Sequence, residues 1–189
     1  MSRLVNELLS FSKAAISAGG VKLEAVNVAL AVRAAIEREV GEATVRVTVP
    51  DELVVRADDA LLERAVGNLV RNAVRFAGDA GPVTVSATAD GDRVNLIVED
   101  GGPGVPDAAV GKLFDPFYRV DESRDRETGG VGLGLAIVKS AVEACEGTVR
   151  CWNRQPRGFA VELGLRVSRT SAVDLANGGD PRGTGDAGD

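Results

Sequence analysis

The 189-residue sequence predicts an α+β fold: a two-layer sandwich in which helices lie on one face of a mixed, mostly antiparallel sheet. Two patterns carry that prediction. Val45, Val47 and Val49, then Val83, Val85 and Ala87, then Val94, Leu96 and Val98, and last Val161, Leu163 and Leu165 put an apolar residue at every second position, the period of a strand with one buried face. Among these strands, Asp58 to Ala77 reads at helical period, with Leu62, Ala65, Val66, Leu69, Val70 and Ala73 as a broad apolar stripe that must be buried against something.

Taken in order, Leu4, Leu8, Leu9 and Phe11 give a short helical stripe that lacks a partner helix. Ser17 to Gly20 reads as a linker and Lys22 to Val28 as a strand. Asn27 is placed to cap a helix carrying Val32, Ala35, Ile36 and Val40, which Gly41 ends. Pro50-Asp51 turns the Val45 strand back into Leu53 to Arg56, and Asp58 or Asp59 caps the central helix. Gly81-Pro82 opens the next strand, and Asp90-Gly91-Asp92 is a tight turn into Arg93 to Glu99. Beyond Val167 the chain loses periodicity and fills with Gly and Asp, so it cannot bury enough apolar surface to offset its ordering entropy. The expected division is 1–18 as a helix end and linker, 19–167 as one domain, and 168–189 as a disordered tail.

Composition removes several function classes. A net charge of −6 argues against a broad nucleic-acid surface. No apolar run approaches the ~18 residues of a membrane span, and no signal-peptide series is present. Cys145 and Cys151 have no histidine neighbours for zinc and no multi-pair framework, so both read as reduced packing residues. The chain contains no histidine at all.

Three stretches carry chemistry. On the central helix Asn68, Asn72, Arg75 and Phe76 share a face, which is either a solvated polar surface with a stray ring or a row of phosphate-handling groups. Asp100-Gly101-Gly102-Pro103-Gly104 follows a strand, and its glycines let backbone approach a flat ligand closely. Gly129 to Ile137, GGVGLGLAI, is a glycine loop opening directly into an apolar run, as a loop does when it feeds a helix whose N-terminal N–H groups face phosphate.

This ordered set, with LFDPFYR at Leu113 to Arg119 between the glycine stretches, resembles the catalytic ATP-binding domain of sensor histidine kinases, in the superfamily that includes DNA gyrase, Hsp90 and MutL. The resemblance covers roughly Leu23 to Leu165. Met1 to Ala14 resembles the end of the second helix of that family's dimerisation domain, and NRQPRGFAVELGL is most like the envelope-stress sensor kinases. The resemblance implies a Bergerat-type ATP-binding fold with ATP and Mg²⁺ as ligands. Asn72 matches the residue that coordinates Mg²⁺, Asn68 the accessory Asn of the same box, and Arg75 a Lys or Arg that reaches the phosphates. Phe76 matches an aromatic that packs on adenine, although by its spacing it could equally be core. Asp100 matches the acceptor of the adenine exocyclic amine, with Gly102 and Gly104 admitting the base. Arg119 matches an Arg on the terminal phosphate, Asp121 to Thr128 the ATP lid, and Phe114 and Phe117 its anchors. Gly130, Gly132 and Gly134, with Leu133 between them, match the second glycine box, where Val131 replaces the usual Thr or Ser.

In related ATPases and in anti-sigma serine kinases a Glu precedes the metal-binding Asn by four residues and acts as base. Here that position is Asn68, which cannot take a proton, and Glu63 lies a further turn away. The implied function is transfer of the ATP γ-phosphoryl to a histidine on a dimerisation helix absent from this chain, with Asn68 and Arg119 assisting and a response regulator receiving the group next. A chain without histidine is not expected to autophosphorylate. The expected setting is a cytoplasmic fragment of a homodimeric parent anchored in the inner membrane. The alternatives are a regulatory module that binds nucleotide without transfer, and a serine kinase of the anti-sigma type.

Overall fold

The computed structural model describes residues 20–40, 45–77, 80–120 and 131–176. In chain order the elements are β1 (Glu24–Asn27), α1 (Val28–Glu39), β2 (Val45–Thr48), β3 (Val54–Ala57), α2 (Asp59–Ala77), β4 (Val83–Asp90), β5 (Arg93–Asp100), α3 (Asp107–Val110), α4 (Gly134–Ala144), β6 (Thr148–Asn153), β7 (Phe159–Arg166) and α5 (Ala172–Ala176).

Strands whose apolar residues alternate pair so that those residues share one face. Val85 lies opposite Val98, Leu96 opposite Leu163, and Val94 opposite Leu165. The resulting five-stranded sheet has the order β2-β4-β5-β7-β6, antiparallel except for β2 beside β4. Above its apolar face α2 packs between α1 and α4, and the stripe at Leu62, Ala65, Val66, Leu69, Val70 and Ala73 is buried throughout. The two layers are therefore closed by one core, to which Val138, Ala141 and Val142 of α4 contribute.

The Pro50-Asp51 turn does not fold β2 back onto β3. β3 pairs instead with β1, in register Glu24 to Ala57, and this two-stranded ribbon meets the end of β7 through a Val55–Val167 bridge. β2 runs parallel to β4, in register Val45 to Val83. The long connection through β3 and α2 makes that geometry possible, since parallel neighbours need a crossover of a dozen or more residues. A local turn signal reports a change of direction and is silent about the partner.

The helix ends are set by side chains. Asn27 Oδ1 accepts from the Leu30 N–H at 3.0 Å, while its Nδ2 donates to the Asp51 carbonyl at 2.7 Å and so ties α1 to the β2–β3 turn. For α2 the cap is Asp58 and not Asp59: Asp58 Oδ1 accepts from the Leu61 N–H, and Oδ2 accepts from the Lys22 N–H, both at 3.1 Å. Cys145 and Cys151 are free thiols, the first at the end of α4 and the second in β6. Within the stretch expected to lack structure, Ala172–Ala176 is helical, held by a reciprocal pair in which Ser171 Oγ donates to Asp174 Oδ2 at 2.6 Å and accepts from the Asp174 N–H at 3.2 Å. The N-terminal helical stripe, Gly41, the Asp121 to Thr128 segment, Gly130 and residues 177–189 lie outside the described residues. Among the described residues no helix is long and apolar enough to cross a membrane.

Replacing Asp58 by Ala removes the α2 cap and is expected to lower stability by ~1 kcal/mol, seen as a lower urea midpoint at unchanged slope. Asp59→Ala should leave the midpoint within about 0.5 kcal/mol of the parent.

Candidate nucleotide site

Helix α4 begins without a side-chain cap: its N-cap residue is Leu133, buried, which makes no side-chain cap hydrogen bond. An uncapped helix start carries several unsatisfied donors and the positive end of the helix dipole, and so favours an anion. Asn72 of α2 faces this end. A Cβ on Gly134 would lie 3.1 Å from Asn72 Nδ2 and 3.5 Å from Oδ1, so the amide occupies space that a side chain at position 134 would otherwise fill.

Just before α4, Gly132 has φ of +78°, and its carbonyl accepts from the Phe117 N–H at 3.0 Å. A Cβ there would lie 2.8 Å from the Phe117 carbonyl carbon, so only glycine lets the two segments meet. Phe117 itself adopts φ of +67° and is 57% exposed, so it does not anchor the segment by burial. The left-handed backbone that delivers its N–H to Gly132 turns the ring outward. Phe114, partly buried against the core, is the aromatic of this stretch that anchors. Tyr118 and Arg119 follow, both partly buried, with the Tyr118 carbonyl against the Gly132 turn.

The loop after β5 meets the C-terminal end of α2. Asp100 is 6% exposed, and its Oδ1 accepts from the Gly102 N–H at 2.8 Å, closing the loop on itself. A Cβ on Gly102 would lie 2.6 Å from the Phe76 carbonyl oxygen, so the last turn of α2 rests directly on this loop. Burial pushes the Asp100 carboxyl above its ordinary value, opposed in part by the Gly102 and Phe159 N–H groups and by the charge of Arg154. Phe76 is 53% exposed, with the Arg75 guanidinium 5.1 Å from its ring centre, so the ring belongs to the surface beside the loop and not to the core.

These contacts form a continuous path: Gly102 meets the end of α2 at Phe76, Asn72 lies one turn back along α2, and Gly134, with Gly132 two residues before it, faces the Asn72 amide. Asn68, a turn earlier, is engaged differently. It is 6% exposed, its Nδ2 donates to the Arg64 carbonyl at 2.8 Å, and its Oδ1 accepts from Arg71, which in turn pairs with Glu39 of α1 at 2.8 Å. Both ends of the Asn68 amide are thus occupied on the side facing α1. Arg71, which sequence reasoning passes over, holds that network and had no signal beyond its spacing from Asn68. Glu63 is paired with Arg38 at 2.8 Å. Val131 and Leu133 flank Gly132, the first partly and the second fully buried.

Residues 57–178 match the family described as histidine kinase-, DNA gyrase B-, and HSP90-like ATPase. The sensor protein RstB of Escherichia coli K12 is 49% identical over 94 residues, which is 50% of this chain and 21% of that protein. The sensor-like histidine kinase SenX3 of Mycolicibacterium smegmatis is 30% identical over 170 residues, 87% of this chain and 44% of that protein. The chain thus spans less than half the length of these curated relatives. Among solved structures, the mycobacterial sensor histidine kinase MprB superposes with a TM-score of 0.68 at 31% identity, covering 76% of this chain and 98% of that one. Full-length ShkA in complex with AMPPNP superposes with a TM-score of 0.70 at 28% identity, covering 89% of this chain and 36% of that one.

The raised Asp100 pKa has a sign that can be checked. A carboxyl that binds its proton more tightly when folded contributes stability below its ordinary value of 3.8 and loses it as pH rises through the raised folded value. Asp100→Asn should therefore gain stability relative to the parent as the pH is raised from 4 towards 7, measured by denaturant unfolding at each pH. A constant difference across that range would show that burial does not govern this carboxyl.

Proposed function

Given that the chain belongs to the family of histidine kinase-, DNA gyrase B- and HSP90-like ATPases, as an ATP-binding catalytic domain of the sensor histidine kinase type, we propose that it holds Mg·ATP between the Asp100 loop and the start of α4 and presents the γ-phosphoryl group to a histidine. The sequence contains no histidine, so the acceptor must be supplied from outside these 189 residues. The observation that carries this reading is the placement of the Asn72 amide at the uncapped start of α4.

In this reading the two ends of the cleft divide the work. At one end the Asp100 carboxylate accepts from the exocyclic amine of adenine, which favours that base over guanine, whose matching edge offers an acceptor. Gly102 and Gly104 let the ring approach backbone, and Phe76 offers it an exposed face. At the other end the phosphates meet the N–H groups of Gly132, Leu133 and Gly134, with Gly130 and Val131 preceding them. Arg75 and Arg119 add positive charge, Arg119 towards the terminal phosphate.

The donor set suits Mg²⁺. Asn72 offers one side-chain oxygen, and among the described residues no group of three or more His, Cys, Asp or Glu could enclose a metal. A divalent ion held here would take most of its ligands from phosphate oxygens and water, as Mg²⁺ does, and its charge would offset that of the triphosphate. Transfer to an imidazole nitrogen needs no general base, because that nitrogen brings its own lone pair. The cleft matches that requirement: Asn68 cannot take a proton and has both ends of its amide engaged, while Glu63 is tied to Arg38. The protein's part is to align the terminal phosphate and stabilise its charge during in-line transfer. In the intact protein, a homodimer in this reading, the acceptor lies on a dimerisation helix and the phosphoryl group passes next to a response regulator.

Mixing the chain with a histidine-bearing dimerisation domain and γ-labelled ATP should place acid-labile label on that domain. Nucleotide binding with no label transferred would contradict the kinase reading, and acid-stable label on a partner would replace it with serine transfer. Asn72→Ala should weaken Mg²⁺-dependent binding of an ATP analogue by about tenfold or more, while binding measured without the ion changes little. Equal losses with and without magnesium would remove Asn72 as the metal residue.

A further inference from the structure

The hairpin between β6 and β7 sends two side chains into the Asp100 loop, and neither is among the nucleotide contacts assigned above. Asn153, the last residue of β6, donates from Nδ2 to the Val105 carbonyl at 2.7 Å and accepts at Oδ1 from the Val105 N–H at 2.9 Å. Its second Nδ2 proton goes to Asp107 Oδ1 at 2.9 Å. One side-chain amide thus exchanges both hydrogen bonds with a single loop residue, the pattern that two residues make across an antiparallel ladder. The next residue, Arg154, donates from Nη1 to the Asp100 carbonyl at 3.1 Å and pairs through Nε with Glu99 at 2.9 Å.

Two consecutive residues of one hairpin therefore hold the first and last residues of the Asp100–Val105 loop. The glycines of both segments serve this contact. Gly104 has φ of +74°, and a Cβ there would lie 2.7 Å from Asn153 Oδ1. Gly158 has φ of +116°, and a Cβ there would run into the Asp100 carbonyl oxygen. The loop's own contacts, the Gly102 turn onto Asp100 and the approach to Phe76, fix its middle. Its ends are fixed by the hairpin.

We propose that Asn153 is a positioning residue for adenine recognition: together with Arg154 it holds the Asp100–Val105 loop in the conformation that presents the Asp100 carboxylate to the base. The inference rests on the reading of Asp100 as the base acceptor. A loop already ordered by side chains need not be ordered by the nucleotide, so its clamp strengthens base binding without touching the base. The amide is specific to the task. Asp at 153 would keep the acceptor for the Val105 N–H, lose both donors and place a second carboxylate beside Asp107.

The test is titration of the whole chain and its Asn153→Ala, Asn153→Asp and Asp100→Asn variants with ATP and GTP analogues and with tripolyphosphate. Asn153→Ala should weaken the adenine nucleotide about tenfold and narrow the adenine-over-guanine preference, while tripolyphosphate affinity stays within about twofold. Hydrogen exchange at the Val105 amide should speed up in the free protein. Asn153→Asp should resemble Asn153→Ala at neutral pH, which keeps the test decisive should the alanine variant fold poorly. Loss of affinity for all three ligands alike, or no loss for any, would overturn the inference while Asp100→Asn still abolishes adenine preference. If Asp100→Asn leaves that preference intact, the base pocket itself is misplaced and the positioning role falls with it.

Discussion

The Asn72 amide stands close against the start of α4, and the proposed site is arranged around that contact. A Cβ at 134 would lie 3.1 Å from Asn72 Nδ2, so the amide would have to give by a few tenths of an ångström. Apolar burial holds the helices together: Val66, Val70 and Ala73 on one side, Val138, Ala141 and Val142 on the other, all within a single core. Once the two helices are fixed, each glycine segment has a place. The second begins α4, and the first lies under the last turn of α2, where Gly102 meets the Phe76 carbonyl.

The path along α2 is polarised although the chain as a whole carries a net charge of −6. One end has the start of α4, and the other a buried carboxylate whose proton affinity is raised by desolvation. The proposed function reads these two fields as the places of a polyanionic tail and of a base bearing an exocyclic amine. Burial raises the proton affinity of Asp100, so in the proposed site base recognition and proton binding would be linked at one side chain.

Much of this was legible in the sequence because its signals are local. The stripe from Leu62 to Ala73 specified the buried face of α2, and the alternations specified the buried face of β4 and β5; in β2, an edge strand, the same alternation misleads at Val47, which is 37% exposed. The glycines at 102 and 132 read as places where a ligand approaches backbone, and in the fold they are also where the Phe76 carbonyl and the Phe117 backbone come too close for a side chain. What was not legible depends on residues far apart. Nothing near Pro50-Asp51 states that β3 belongs with β1 and that β2 belongs beside β4. Phe117 reads as an anchor of the lid until its positive φ and exposure are known, and Phe76 reads equally as core or as a ring offered to a ligand until its exposure is known. Asn68 shares a helical face with Asn72 by spacing, yet its amide is spent on Arg64 and Arg71 because Glu39 of α1 draws Arg71 across. Asn153 and Arg154 act on a loop some fifty residues earlier, |i−j| of 48 and 54, so no window of sequence could join them to it.

The most direct measurement of the central claim is to bind Mn²⁺ with an adenine nucleotide and map paramagnetic broadening across the amide spectrum, Mn²⁺ standing in for Mg²⁺. Broadening centred on the Asn72 side-chain amide and on Gly132 to Leu135, with diamagnetic shifts at Asp100 to Gly104 when Mg²⁺ replaces Mn²⁺, is the predicted result. Sharp signals at Asn72 with broadening centred elsewhere, for example at Ile97 and Glu162 on the opposite face of the sheet, would contradict it.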